Sequence, residues 1–298
     1  MRLAVTVAAL LLPVSIAAAA APEWVARSNV YAVQVLDDAG RFNPEFATRA
    51  GRDKFDTEVA DLGPRYIERG IEQAEKRAAE LRAALAQEKD PRVRQDVQIL
   101  IDNIDRNVAS QRLRHARLLE PIDAAGTVNF GLTQLLDARN SPERQARALI
   151  RMRRYAGLEP GYTPIAQLAR ERDEEELARP GLIGPYAADV QQKLANTDLY
   201  LKGLEQLFRR AKLTGWEKDL DVLGRQLREY REWVKGTVLP RVRPDVKLPP
   251  ELYADQLRQA GVDMSPAELI DRASADFQET RTQLQVLAAR IAAERGLP

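Results

Sequence analysis

Apolar residues recur through this chain at steps of three and four, and hardly anywhere at steps of two. From Pro64 to Gln87 the positions Ile67, Ile71, Ala74, Ala78, Leu81 and Leu85 advance by four, three, four, three and four. That spacing predicts an amphipathic helix with one stripe for burial. A second stripe, Val97, Leu100, Ile101, Ile104 and Val108, follows Asp90-Pro91, where aspartate can cap free amides and proline sits at the first helical position without losing a needed hydrogen bond. Almost no loop separates the two segments, so an antiparallel hairpin is expected.

Further helix starts are expected at Ser141-Pro142-Glu143, at Thr214 with Glu217, and at Ser265-Pro266-Ala267-Glu268, the last two with capping-box spacing. Breaks are expected at Gly157 to Gly161, at Arg179-Pro180-Gly181, and in the proline-rich stretch Leu239 to Pro250. Strand signals are nearly absent, since β-branched runs are short and no Asn-Gly or Asp-Gly turn joins alternating segments. The pattern predicts an all-α, bundle-like array of about seven to nine helices with little or no sheet. No repeat of fixed period appears, which disfavours a solenoid, and the heptad around Ile67 to Leu85 is too short for an extended coiled coil.

The first residues add an export signal. Arg2 precedes an apolar run from Leu3 to Ile16, punctuated by Pro13, and small residues from Ala17 to Ala21. The run is short for a membrane anchor but suits a cleaved leader. Residues 1–20 are therefore read as a signal peptide cut between Ala20 and Ala21, and 21–298 as one helical domain in which the connection 239–250 precedes a last helical segment, 251–298. The product is expected to be periplasmic or secreted, with no stable membrane insertion after cleavage. The absence of cysteine rules out disulfide stapling and a lipid-bearing cysteine. With 45 basic and 44 acidic residues spread evenly, there is no basic stripe and no expectation of nucleic acid.

Candidate chemistry is sparse. His115, the sole histidine, stands among Arg112, Arg114 and Arg117. With no cysteine and no second histidine it cannot supply the usual nitrogen and sulfur ligands of zinc, so it is read as a surface or partly buried helix residue. No G-x-S-x-G elbow, Cys–His pair or phosphate loop occurs. Asp102 with Asp105, Asp219 with Asp221, the basic cluster Arg151, Arg153 and Arg154, and the acidic run Asp173 to Glu176 are read as solvated helix faces. Trp24, Trp216, Trp233 and the eight tyrosines are scattered, which suits core and helix-interface packing. No catalytic, cofactor-binding or metal-binding residue is assigned, and no cofactor is expected in this chain.

Three stretches carry a family resemblance: Phe42-Asn43-Pro44-Glu45-Phe46-Ala47-Thr48-Arg49-Ala50-Gly51; Gln95-Asp96-Val97-Gln98-Ile99-Leu100; and the region from Leu239 on. The last reads Leu239-Pro240-Arg241-Val242-Arg243-Pro244, then Leu248-Pro249-Pro250-Glu251-Leu252-Tyr253, then Ala260-Gly261-Val262-Asp263-Met264-Ser265-Pro266. In their order and spacing they resemble the N-terminal half of the bacterial family catalogued as domain of unknown function 885. The resemblance spans nearly all of residues 23–298. It implies an exported protein similar to helical zinc metallopeptidases, whose His-Glu and Pro-Gly-His zinc run lies in a C-terminal half. No such run occurs here, so no functional residue carries over.

The resemblance thus implies a non-catalytic helical portion, one wall of a substrate cleft, whose partners would be its own missing C-terminal half or a peptide substrate. The alternative is a stand-alone periplasmic helical binding or scaffold protein without enzymatic activity. The last helix, from about Pro266 to Glu294, bears on both. Leu269, Ala273, Phe277, Leu284, Leu287 and Ile291 form its main stripe, and Ile270, Val286, Ala288 and Ala292 add apolar positions at other angles. An exposed apolar patch is expected beside 266–294.

Overall fold

Helices α3 (Tyr66–Gln87) and α4 (Pro91–Arg117) form the expected hairpin, and the Asp90 carboxylate accepts from the Arg92 amide at 3.0 Å. Ile71, Ala78 and Leu81 of α3 lock against Val93, Val97, Ile101, Ile104 and Val108 of α4. Trp24, Tyr31 and Val35 of α1 (Glu23–Phe42) close the third side of this first core. In the computed structural model, residues 22–296 are described; the leader reading at 1–20 lies outside them.

A second core is built after the chain leaves the hairpin. It joins α5 (Ala124–Leu135), α6 (Pro142–Tyr155), α7 (Ile165–Ala178), α8 (Ala187–Arg210) and α9 (Glu217–Thr237) around Leu132, Leu135, Met152, Tyr155, Leu204 and Phe208. Short α2 (Pro44–Arg49) bridges the two cores, α10 (Pro250–Gln259) packs on α4, and α11 (Pro266–Arg295) completes the array. The described residues thus form eleven α-helices and no strand, with isolated bridges pairing Leu118 with Ile183 and Tyr186 with Arg243. The helices beyond the seven to nine expected include the short α2 and α10, whose turns offer too few apolar steps to stand out by periodicity.

The start at Ser141 forms as expected, and Ser265 with Glu268 makes a reciprocal capping box. The box at Thr214 and Glu217 does not form: α9 begins at Glu217 itself, with Trp216 before it. Gly215 takes a φ of +82°, the Trp216 ring stacks on Phe208 at 5.5 Å, and its Nε1 donates to the Leu213 carbonyl at 3.0 Å. Burial of the indole therefore sets this helix start, and the threonine has no part in it.

The basic cluster on α6 corrects the reading of a solvated face. Arg151 is 0% exposed. Its Nη1 donates to the Gly131 carbonyl at 3.1 Å, and its Nη2 to Thr48 Oγ1 at 2.8 Å and the Phe55 carbonyl at 2.5 Å. Arg153 is held by Glu159 and Asp219, and Arg154 by Glu58. Glu45, also buried, accepts from the Tyr155 hydroxyl at 2.5 Å and the Ala60 amide at 3.0 Å, and burial pushes its carboxyl above the usual range while Arg151 pulls it back. An arginine stays charged, so it enters a core only where acceptors and a countercharge meet it.

Helix α11 stands apart from both cores, with none of its residues buried. Phe277 is 63% exposed and Leu284 60%, which meets the expectation of exposed apolar positions along 266–294.

Replacing Arg151 with Met should destabilise the protein by about 3–5 kcal/mol, because it removes the cation near the buried Glu45 and the three hydrogen bonds that Arg151 donates to Thr48, Phe55 and Gly131. Urea unfolding followed by circular dichroism checks this; a loss under about 1 kcal/mol would mean the buried pair contributes little.

Candidate functional site

A chain of hollows runs along the junction of the two cores. The largest, ≈ 690 Å³, lies among α1, α3 and α4 and is apolar at its base, with Val35, Ala74 and Ile104. Its rim carries the amides of Gln73, Asn103, Asn107 and Gln111, three of them spaced by four on α4 and therefore aligned on one face. Phe42, Asn43, Gly70 and Gln111 also line the next hollow, ≈ 310 Å³, where α7 closes the far side. That hollow shares Arg114, Leu118, Glu120 and Ile122 with a third, ≈ 250 Å³, which reaches Tyr186, Lys193 and Tyr230. Together they make one stepped cleft, apolar at one end and rich in ionisable groups at the other.

His115 sits in the middle hollow, partly buried as expected for a helix residue. Its Nε2 is 3.6 Å from Glu68 and its Nδ1 is 3.7 Å from Glu176. Arg179 binds Glu176 at 2.6 Å, places Nη1 3.2 Å from His115 Nδ1, and donates to the His115 carbonyl at 2.8 Å. An arginine can only donate, so Nδ1 accepts and the ring proton of the neutral imidazole lies on Nε2, toward Glu68. The two carboxylates face opposite nitrogens of one ring and cannot converge on a single ion. Among the described residues no group of three or more His, Cys, Asp or Glu side chains could hold a metal. Zinc therefore does not fit the residues that line this cleft.

In the acidic run on α7, Glu174 and Glu175 are exposed as a solvated face requires, and Asp173 is the exception that corrects the reading. Asp173 is 1% exposed. Its Oδ1 accepts from the Ile122 amide at 3.0 Å, and its Oδ2 lies 2.5 Å from the Tyr230 hydroxyl, which is also 2.7 Å from the Ile122 carbonyl. Burial raises the Asp173 carboxyl to about 7, against the lowering pull of those two donors. Burial and the nearby Asp173 likewise hold the Tyr230 phenol far above its ordinary value, and burial, with Asp173 and Glu176 nearby, pushes Tyr66 up to about 12. The single phenol proton cannot serve both acceptors: the ionised acid takes it from the Ile122 carbonyl, whereas the neutral acid can donate to the phenol oxygen while the phenol turns its own proton to that carbonyl.

The pairs Asp102 with Asp105 and Asp219 with Asp221 form no site. Asp105 binds Arg82, Asp102 accepts from Gln98, and Asp219 binds Arg153. Reading from the sequence missed Asp173, Tyr230, Glu45 and Arg151. The one available signal was that Glu45 lies within the Phe42–Gly51 stretch.

Fold and cleft define an all-helical chain with connected hollows along α4 and α7. Residues 44–297 match the family model described as bacterial protein of unknown function (DUF885), and the chain belongs to that family. No curated protein and no solved structure matches it. No helix among the described residues is long and apolar enough to cross a membrane.

The raised Asp173 sets a pH dependence. Between the ordinary value of 3.8 and about 7 the folded protein keeps a proton that the unfolded chain has released. The stability this group adds is therefore complete below 3.8 and is lost as pH rises through about 7. Asp173→Asn mimics the neutral acid, so its stability relative to the parent should climb with pH across that window, by at most about 1.4 kcal/mol per unit. Urea midpoints for both proteins at acidic and mildly alkaline pH measure it; a constant difference would show that Asp173 ionises at its ordinary value.

Proposed function

We propose that this chain is the N-terminal, non-catalytic helical portion of an exported, periplasmic or secreted zinc-peptidase-like protein, lacking the metal-binding half, and that its cleft forms one wall of the peptide site. The cleft carries the reading. Its amide row on α4 can pair with the backbone of an extended peptide, and the apolar base beneath can take side chains. Membership of the family supports this reading only together with the resemblance to metallopeptidases, and the opposed carboxylates at His115 favour a zinc supplied by the other half. The residues here would bind and orient a peptide; the metal and the general base of hydrolysis would come from the other half. A second reading, a stand-alone periplasmic binding or scaffold protein, draws on the two cores, each of which buries its own cluster of apolar residues.

The purified chain should retain far less than one zinc after dialysis and cleave no peptide, yet hold unstructured peptides in the cleft. Ala74→Trp, which fills the largest hollow, should weaken peptide binding at least tenfold. Metal analysis, a peptide-release assay and titration with a fluorescent peptide library check these points. One tightly held zinc per chain, or turnover abolished by a chelator, would overturn the proposal. DNA beyond codon 298 separates the two readings: an in-frame or frameshifted His-Glu and Pro-Gly-His run favours the first, and unrelated sequence the second.

A further inference from the structure

A buried cation with unmade hydrogen bonds lines the middle hollow. Arg172, the residue of α7 that precedes Asp173, is 7% exposed and borders the ≈ 310 Å³ space. Its Nη2 pairs at 2.9 Å with the exposed Glu175, whereas Nε and Nη1 are buried and have no partner among the described residues. A guanidinium keeps its charge and has donors only, so neither loss of a proton nor a change of role can satisfy these N–H groups. Buried donors without an acceptor are costly, and an acceptor placed in the hollow offsets that cost.

The carboxylates of the hollow are engaged elsewhere. Glu120 is bound by Arg114, Glu176 by Arg179, and Asp173 by the Ile122 amide and the Tyr230 hydroxyl. Arg172 thus keeps donors to spare beside a hollow that is also bordered by Asn43 and Gln111, whose side-chain amides can donate as well. We propose that Arg172 takes the terminal carboxylate of the bound peptide, so that the cleft selects peptides with a free C-terminus. The inference rests on the peptide reading of the cleft and adds to it the class of peptide and the direction in which it lies.

Direction follows from the amide row on α4. Gln111 ends that row and lines both the largest hollow and the middle one. From Asn103 to Gln111 the row runs about 12 Å at about 1.5 Å per residue, the length of roughly three or four extended residues. A peptide laid along it with its C-terminus toward Gln111 brings its last residue into the middle hollow, against α7. Laid the other way, it sets an ammonium group beside Arg172, a cation against a cation with no acceptor for the buried donors. A chain that ran on through the hollow would offer only a neutral carbonyl, a weaker partner for a guanidinium than a carboxylate.

The test uses the full chain and an N-terminally dansylated Leu-Ala-Leu-Ala-Leu pentapeptide, prepared as the free acid and as the C-terminal amide. In anisotropy titrations the acid should bind at least tenfold more tightly. An amide of equal charge, with glutamate in second place, should bind like the plain amide, which separates the terminal carboxylate from negative charge in general. Arg172→Gln should bring the acid down to the amide's affinity, with a circular-dichroism melting curve showing that the variant folds. If it does not fold, the comparison of the peptides on the parent protein decides alone. Equal binding of acid and amide would mean that water satisfies Arg172, and would overturn this inference while leaving the peptide reading in place. So would an acid preference that survives Arg172→Gln, or a glutamate amide that binds as tightly as the acid. Binding of neither acid nor amide would overturn both readings together.

Discussion

The guanidinium of Arg151 is the constraint on which the junction of the two cores depends. From α6 it donates to α2 at Thr48, to the turn at Phe55 and to α5 at Gly131. Those acceptors come from three segments far apart in the chain, and hydrogen bonding to one buried cation ties the short α2 and the turn at Phe55 to the apolar α5. Glu45 supplies the nearby negative charge, and Tyr155 ties that carboxylate back to α6. The crowding is visible at Gly131, where an added Cβ would lie 2.3 Å from the Tyr155 oxygen. Glycine is required there because the phenol needs the space. A neighbouring cluster repeats the logic: Asp56, almost fully buried, takes Arg144 and Arg147, each at 2.9 Å.

This polar joint also positions the cleft. Asn43, which caps α2 by accepting from the Phe46 amide, lies two residues before Glu45 and lines the hollows on both sides of the step. The far wall is held by the same kind of interaction, since Asp173 and Tyr230 clamp the strand-like stretch through Ile122. Both carboxylates are raised by burial and both accept from a phenol and a backbone amide; Glu45 has the Arg151 cation nearby as well. At Asp173 desolvation outweighs the two donors and lifts the carboxyl to about 7.

Much of the architecture was legible in the sequence because it follows from periodicity and caps. The α3 and α4 stripes pack as their spacing implies, and the proline-marked starts at Asp90, Ser141 and Ser265 all form. The cleft was not legible, since it depends on side chains brought together across long separations: Glu45 with Tyr155, Arg151 with Phe55, Asp173 with Ile122. A charged residue on a helix looks solvated until its acceptors are known, and those acceptors are mostly backbone carbonyls, which leave no mark on composition. Arg151 shares the helix face of Ala148, Met152 and Tyr155 and Arg153 does not, so only its position on the stripe separated the buried arginine from the half-exposed one.

The same limit appears, reversed, in the apolar stripes. Helices α3 and α11 both show steps of three and four, and nothing in either spacing tells which stripe finds a partner within the chain. In α3 the answer lies outside the helix: a loop of a few residues returns the chain as α4, with a stripe in matching register, so burial follows from connectivity. Helix α11 has no such neighbour among the described residues, and its stripe stays in water. What distinguishes the two is the cost of bringing a complement alongside, small when a short loop tethers it and larger when it must come from solution.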